Sequence, residues 1–185
     1  MLEIVSNFVQ QTPHMKNISI GDKYPEIVNV LIEIEKGGHN KYEYDDDLEL
    51  IKLDRVLHSP LFFPADYGFI PKTTAEDGDH SDILVITDSP TFPGCLVEAR
   101  IIGVMGMSDE NGIDQKIIAV PNQNPHYQHV NDIKDLEPHI LKEIAHFFNQ
   151  YKMLENKDVE VGEWESKEKA IELIKKAHQA FLNKS

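Results

Sequence analysis

Seven consecutive residues, Glu76-Asp77-Gly78-Asp79-His80-Ser81-Asp82, hold the densest potential for chemistry in the chain. Three aspartates spaced by two and three across a glycine can converge on one point, because a turn gathers side chains that an extended strand would separate. Carboxylates without sulfur are hard oxygen donors, suited to Mg²⁺ or Mn²⁺ rather than to zinc or copper. A calcium-binding helix–loop–helix loop is excluded. It needs glycine at its sixth position, where Asp82 stands, and flanking helices, where Ile83-Leu84-Val85-Ile86 predicts a buried strand. Asp-Gly-Asp is equally ordinary turn chemistry, and the segment alone does not choose between the two. A second acidic turn, Asp109-Glu110-Asn111-Gly112-Ile113-Asp114-Gln115-Lys116, repeats the pattern and ends in a cation. Two such turns, each joined to a buried strand, can oppose each other across one sheet.

The remaining composition limits what those acids can serve. The 185 residues include 32 acidic and 18 basic side chains, a formal charge of −14. Duplex nucleic acid and anionic membranes are unsuitable partners, because the mean field repels both. Arg55 and Arg100 are the only arginines, so an anion would bind once metal ions had inverted the local potential. The single cysteine, Cys95, excludes an internal disulfide and a cysteine-based zinc cluster; it reads as a small core residue in a reducing cytoplasm. His126 and His129 lack the further ligands of a zinc site and read as loop histidines. No apolar run nears the roughly 18–20 residues that span a bilayer, and the first residues lack the opening of a signal peptide. The length fits one domain over residues 1–185, with 1–25 as an N-terminal arm.

The elements that must carry these residues follow from periodicity. Over residues 27–35, Val28, Val30, Ile32 and Ile34 alternate with Asn29, Leu31, Glu33 and Glu35, which predicts a strand. Gly37-Gly38 ends it, and residues 41–44 alternate again, putting Lys41 and Glu43 on one face. Further strands are expected at about 48–54, 82–88, 96–107 and 113–120, the last two joined by the hairpin signal Asn111-Gly112. That final strand would carry Asp114 and Lys116 on one face. Helical spacing begins at Pro138, with Ile140, Leu141, Ile144, Phe147, Phe148, Tyr151 and Leu154 inward. A second helix follows Ser166, a good N-cap, with Ala170, Ile174, Ala177 and Phe181 inward. Strands first and helices last predict an α+β fold with a meandering or barrel sheet.

With the order of these segments in view, the chain resembles the soluble family I inorganic pyrophosphatases from about Val30 to Trp164. Asp77-Gly78-Asp79-His80-Ser81-Asp82 resembles the family's Asp-x-Asp-Pro-x-Asp signature. Lys41-Tyr42-Glu43, Asp54-Arg55 and Phe63-Pro64-Ala65-Asp66-Tyr67-Gly68-Phe69-Ile70 match further family segments, as do Asp109 to Lys116 and His146 through Tyr151-Lys152. The resemblance implies a small closed OB-like barrel with two C-terminal helices packed outside, and Mg²⁺-dependent hydrolysis of inorganic pyrophosphate. It implies Asp77, Asp82 and Asp114 as direct metal ligands, with Asp109 and Glu33 completing the shell. Asp79 would take the proton of the attacking water. Lys41, Arg55, Tyr67, Lys116, Tyr151 and Lys152 would hold phosphoryl oxygens, with Glu43 orienting Lys41. A homo-oligomer, as a hexamer, is implied by the same likeness.

Each of these residues taken singly has a plainer reading. Arg55 beside Asp54 makes a surface ion pair of small worth, Tyr67 and Tyr151 are core aromatics, and Lys152 complements a helix dipole. The chain also departs from the family pattern. His80 stands where proline is usual, Ser81 replaces an apolar residue, and Asp66 stands in place of asparagine, adding an acid beside Tyr67. Two other functions use the same residues: a barrel that binds a ligand without turnover, and hydrolysis of an organic pyrophosphate ester.

Overall fold

Nine strands and two longer helices make up the computed structural model, which describes residues 17–110 and 112–184. The strands are β1 (Ile27–Ile34), β2 (Asn40–Asp45), β3 (Leu50–Val56), β4 (Asp66–Ile70), β5 (Ser81–Val85), β6 (Leu96–Asp109), β7 (Gly112–Ile113), β8 (Lys116–Pro121) and β9 (Val159–Ser166). Helix α1 spans Pro138–Gln150 and α2 spans Lys167–Lys184. Strand outweighs helix, with the two helices against the sheet.

The alternation in β1 fixes two cores rather than one. Val28, Val30 and Ile32 enter a cluster shared with Ile83, Val85, Ile101 and α2. Ile34 does not join them as its spacing predicts. The pairing of β1 with β4 shifts register between Ile32 and Ile34, and this irregularity sends Ile34 into a second cluster packed against α1. There it meets Leu84, Ile118, Ile144, Phe147 and Phe148.

Strand β1 pairs antiparallel with both β4 and β6. From β4 the ladder continues antiparallel to β5, parallel to β8 and antiparallel to β6, so the pairings return to β1. Strands β7 and β9 pair with the far part of β6, while β2 and β3 form a separate two-stranded ribbon. Where β1 and β4 meet, Gly68 is required. A Cβ there would lie 2.0 Å from the Leu31 carbonyl oxygen, far inside contact distance.

Several sequence expectations need correction. Residues 113–120 are not one strand, since Asp114 and Gln115 separate β7 from β8. The turn before β7 is tight, with Asp109 opposite Gly112; Asn111 lies outside the described residues. The first helix stops at Gln150, a short 3₁₀ turn over Met153–Glu155 follows, and Leu154 is exposed instead of buried. Strand β9 was not expected at all. Of the expected arm, residues 1–16 lie outside the described residues. Residues 17–25 are fixed to β1, where the Asn29 N–H donates to the Ile20 carbonyl at 2.8 Å. Among the described residues, no helix is long and apolar enough to cross a membrane.

Candidate active site

Side chains alternate across the central strands, and that alternation builds a cavity on one face. In β5, Ile83 and Val85 enter the α2-side core, so Asp82 points the other way with Leu84. In β8, Ile117 and Ala119 do the same and leave Lys116 facing Asp82's side. Tyr67 and Phe69 come from β4, Glu33 from β1, and the loop between β4 and β5 supplies Asp77 and Asp79. The ribbon of β2 and β3 places Lys41 directly opposite Arg55. Asp109 ends β6, Asp114 precedes β8, and Tyr151 and Lys152 follow α1. The resulting cavity is about 790 Å³. All thirteen residues that the sequence nominates line it, Glu43 included.

Its charges are paired across elements. The Lys116 ammonium, 2% exposed, contacts the carboxylates of both Asp82 and Asp114. Burial opposes its charge, but the two flanking carboxylates outweigh burial and raise its pKa, so it holds its proton. Lys152 donates to Asp109 at 2.7 Å. Lys41 contacts Glu43 and lies 3.5 Å from Asp54. Arg55 donates from Nη1 to Asp54 at 2.5 Å and from Nε to Glu155 at 3.2 Å. Its Nη2 is buried without a hydrogen-bond partner among the described residues, a donor left for something in the cavity.

The carboxylates show the electrostatic cost of being gathered. Burial pushes Glu33 up to about 8, with Asp82 and Glu43 adding to the rise and the Tyr44 N–H, donating at 2.7 Å, opposing it. Asp79 is raised by burial and then by Asp77, Asp82 and Glu43. Burial and the nearby acids hold Tyr67 well above its ordinary value, and Tyr151 is likewise raised by burial, so both keep O–H donors. Nine carboxylates, six Lys and Arg side chains and His80 line the cavity among the described residues. The excess is negative, and the carboxylates that make it are hard oxygen donors, which fits hard divalent cations. No three His, Cys, Asp or Glu side chains among the described residues are gathered tightly enough to enclose a metal ion by themselves; lysines stand between several of them.

The comparisons with known proteins decide the lineage. A family model described as inorganic pyrophosphatase matches residues 30–182. The chain belongs to the inorganic pyrophosphatase family. The inorganic pyrophosphatase of Halalkalibacterium halodurans is 51% identical over 150 residues, 81% of this chain and 92% of the relative. That of Geobacillus stearothermophilus is 52% identical over 149 residues, 80% of this chain and 90% of the relative. The crystal structure of inorganic pyrophosphatase from Thermus thermophilus superposes with a TM-score of 0.89 at 44% identity, covering 91% of this chain and 99% of that one.

The sequence nominates neither Lys157, Asp46, Tyr44 and Lys184, which line the cavity, nor Glu155, which braces Arg55. Glu155 reaches Arg55 from the 3₁₀ turn after α1, and Lys157 pairs with Glu110 at 2.8 Å. The alternation of charge over Lys152, Glu155 and Lys157 was the available signal, masked by reading the helix through Leu154. Asp66 departs from expectation as well. It is fully buried but points away from the cavity, where its carboxylate accepts from the backbone N–H groups of Lys36 at 2.8 Å and Thr91 at 3.1 Å. Cys95 is partly buried at the edge of the α2-side core. His126 is exposed and bonds Asp88 at 2.9 Å.

Proposed function

We propose that this chain hydrolyses inorganic pyrophosphate to two phosphates with Mg²⁺. The observation that carries the reading is the sorting of one cavity into a carboxylate cluster and a set of Lys, Arg and Tyr donors. Asp77, Asp82 and Asp114 would hold the metal, with Asp109 and Glu33 completing its shell. Bound Mg²⁺ would act as a Lewis acid that neutralises phosphate oxygens and makes water easier to deprotonate.

The chain's own residues do the rest. Asp79 accepts the proton of the attacking water. Its raised pKa moves it towards the range in which a carboxylate is an effective base. Lys41, Arg55, Lys116 and Lys152 meet the phosphoryl oxygens as cations, and Tyr67 and Tyr151 meet them as neutral O–H donors. The unpartnered Nη2 of Arg55 supports that role. Glu43 orients Lys41 through their contact. No covalent nucleophile is needed, since water supplies the oxygen that ends on one phosphate and the bridging oxygen leaves on the other.

The same reading takes the chain as one domain over 1–185. It takes the five strands whose pairings return to β1 as a closed OB-like barrel, a form supported by those pairings. It includes a cytoplasmic homo-oligomer, as a hexamer, consistent with the exposed apolar side chains Phe62, Phe92 and Leu96. The test of substrate is phosphate release from pyrophosphate and from an organic pyrophosphate ester at equal Mg²⁺. Preference for inorganic pyrophosphate is expected; equal or faster turnover of the ester would overturn it.

A further inference from the structure

The loop from Pro71 to His80 carries Asp77 and Asp79 and leads directly into Asp82. Residues 76–79 are exposed, Gly78 has φ +102°, and Asp77 and Asp79 repel each other there. Within the tip the Ala75 N–H donates to the Asp79 carbonyl at 2.7 Å, the Gly78 N–H to the Ala75 carbonyl at 3.1 Å and the Asp79 N–H to the Asp77 carboxylate at 3.0 Å. Those bonds close the turn on itself; where the turn sits is set at its base.

At the base two imidazoles grip adjacent carbonyls. His178 Nδ1 lies 2.6 Å from the Lys72 carbonyl oxygen, and His80 Nδ1 lies 2.7 Å from that of Thr73. A carbonyl only accepts, so both Nδ1 atoms carry hydrogen, a condition met by one neutral tautomer and by imidazolium alike. Lys72 between them has φ +59°, a left-handed conformation that a non-glycine residue adopts at a cost. Further bonds lock the same point. Thr73, buried, donates from Oγ1 to the Ile70 carbonyl at 2.6 Å and accepts there from the Ser81 N–H at 2.9 Å. The Thr74 N–H donates to the Ala177 carbonyl of α2 at 2.9 Å. The His80 ring stacks on Phe69 at 4.8 Å and 11°, and His178 packs on Tyr24 at 5.0 Å.

We propose that His80 and His178 are positioning residues, which clamp the Thr73 and Lys72 carbonyls and thereby fix the loop that presents Asp77, Asp79 and Asp82. The C-terminal helix thus braces the loop as well as lining the cavity through Phe181 and Lys184, while His178 itself does not line it. The inference rests on the reading of that loop as the carboxylate donor, but its first test does not.

That test is amide hydrogen exchange on the metal-free, full-length protein, followed by Mn²⁺ titration. Removing one hydrogen bond of ordinary strength changes an equilibrium by about three- to tenfold. His80→Leu should speed exchange at Ser81 by that factor, and His178→Leu should do so at Thr74. The Asn29 amide, bonded to Ile20 away from the loop, should not change. Each variant should bind Mn²⁺ about three- to tenfold more weakly. His80→Asn and His178→Asn keep an N–H on the same side-chain position and should restore both readouts. Unchanged exchange at Ser81 and Thr74 would overturn the clamp. So would faster exchange that includes Asn29, or Asn variants no better than Leu. Faster loop exchange with unaltered Mn²⁺ affinity would overturn the positioning role. Should either leucine variant fail to fold, the other position and both asparagine variants carry the test. Absence of pyrophosphate hydrolysis by the wild type would instead count against the function proposed above, with the exchange result standing.

Discussion

Lys116 and Asp82 lie 34 residues apart in the chain and touch because β5 and β8 run parallel, with Ile83 opposite Ile117. Each stands one residue before that matched pair, so the register itself places the ammonium beside the carboxylate. Asp114 completes the contact from the break between β7 and β8. The break matters: the side chains of Asp114 and Lys116 meet, but not as residues on one continuous strand.

Asp79→Asn and Asp82→Asn should separate two roles. The amide at 79 keeps the shape and cannot take a proton, so turnover should fall about 10²- to 10⁴-fold with metal affinity largely kept. At 82 the change would remove a proposed charged ligand, and metal affinity should fall. Metal titration and steady-state rates on both variants check this; equal affinities and wild-type rates in both would refute the assignments.

Glu33 gives a pH dependence with a definite sign. Its folded pKa, about 8, lies above the ordinary 4.5. The folded state therefore holds the proton more tightly, and the stability of the metal-free protein falls as pH rises through that window. Below about 4.5 the cost vanishes, and above about 8 it is complete. Glu33→Gln keeps an acceptor for the Tyr44 N–H and removes the charge. Metal-free Glu33→Gln should match the wild type in acid and exceed it at pH 8 by on the order of a few kcal/mol. Denaturant midpoints at several pH values would reveal an absent or reversed trend.

Gly68→Ala should destabilise the protein through backbone contact rather than lost flexibility. The added methyl meets the Leu31 carbonyl, which is held in the β1–β4 ladder and cannot move alone. A loss of about 3 kcal/mol or more is expected. A thermal midpoint within a degree or two of the wild type would contradict it.

What the sequence made legible was which side chains gather, because most motif residues stand in the family's order. All thirteen nominated side chains reach one cavity. Less legible was anything set by long-range pairing. The β1–β6 ladder that returns the sheet to its start joins segments some 70 residues apart, as in Ile27 opposite Arg100. Strand β9 escapes the periodicity because a register shift between Val161 and Trp164 breaks its alternation, leaving Trp164 out of step with Val159 and Val161. Periodicity puts Ile34 on the wrong face because a bulge leaves no mark in it. His178 carried no signal: it is one histidine on an amphipathic helix, and its partner is a backbone carbonyl in a distant loop.

Sedimentation checks the proposed assembly. A species several times the 21.1 kDa of one chain is expected at micromolar concentration. A 21.1 kDa species throughout would end the oligomer proposal.

The most direct measurement is phosphate release from inorganic pyrophosphate by protein stripped of metal, before and after Mg²⁺ is restored. The account predicts negligible release from the stripped protein and two phosphates per pyrophosphate once Mg²⁺ is added. Ca²⁺ should substitute poorly because of its larger and looser shell. Full turnover after exhaustive chelation and dialysis, or no turnover with saturating Mg²⁺, would contradict it.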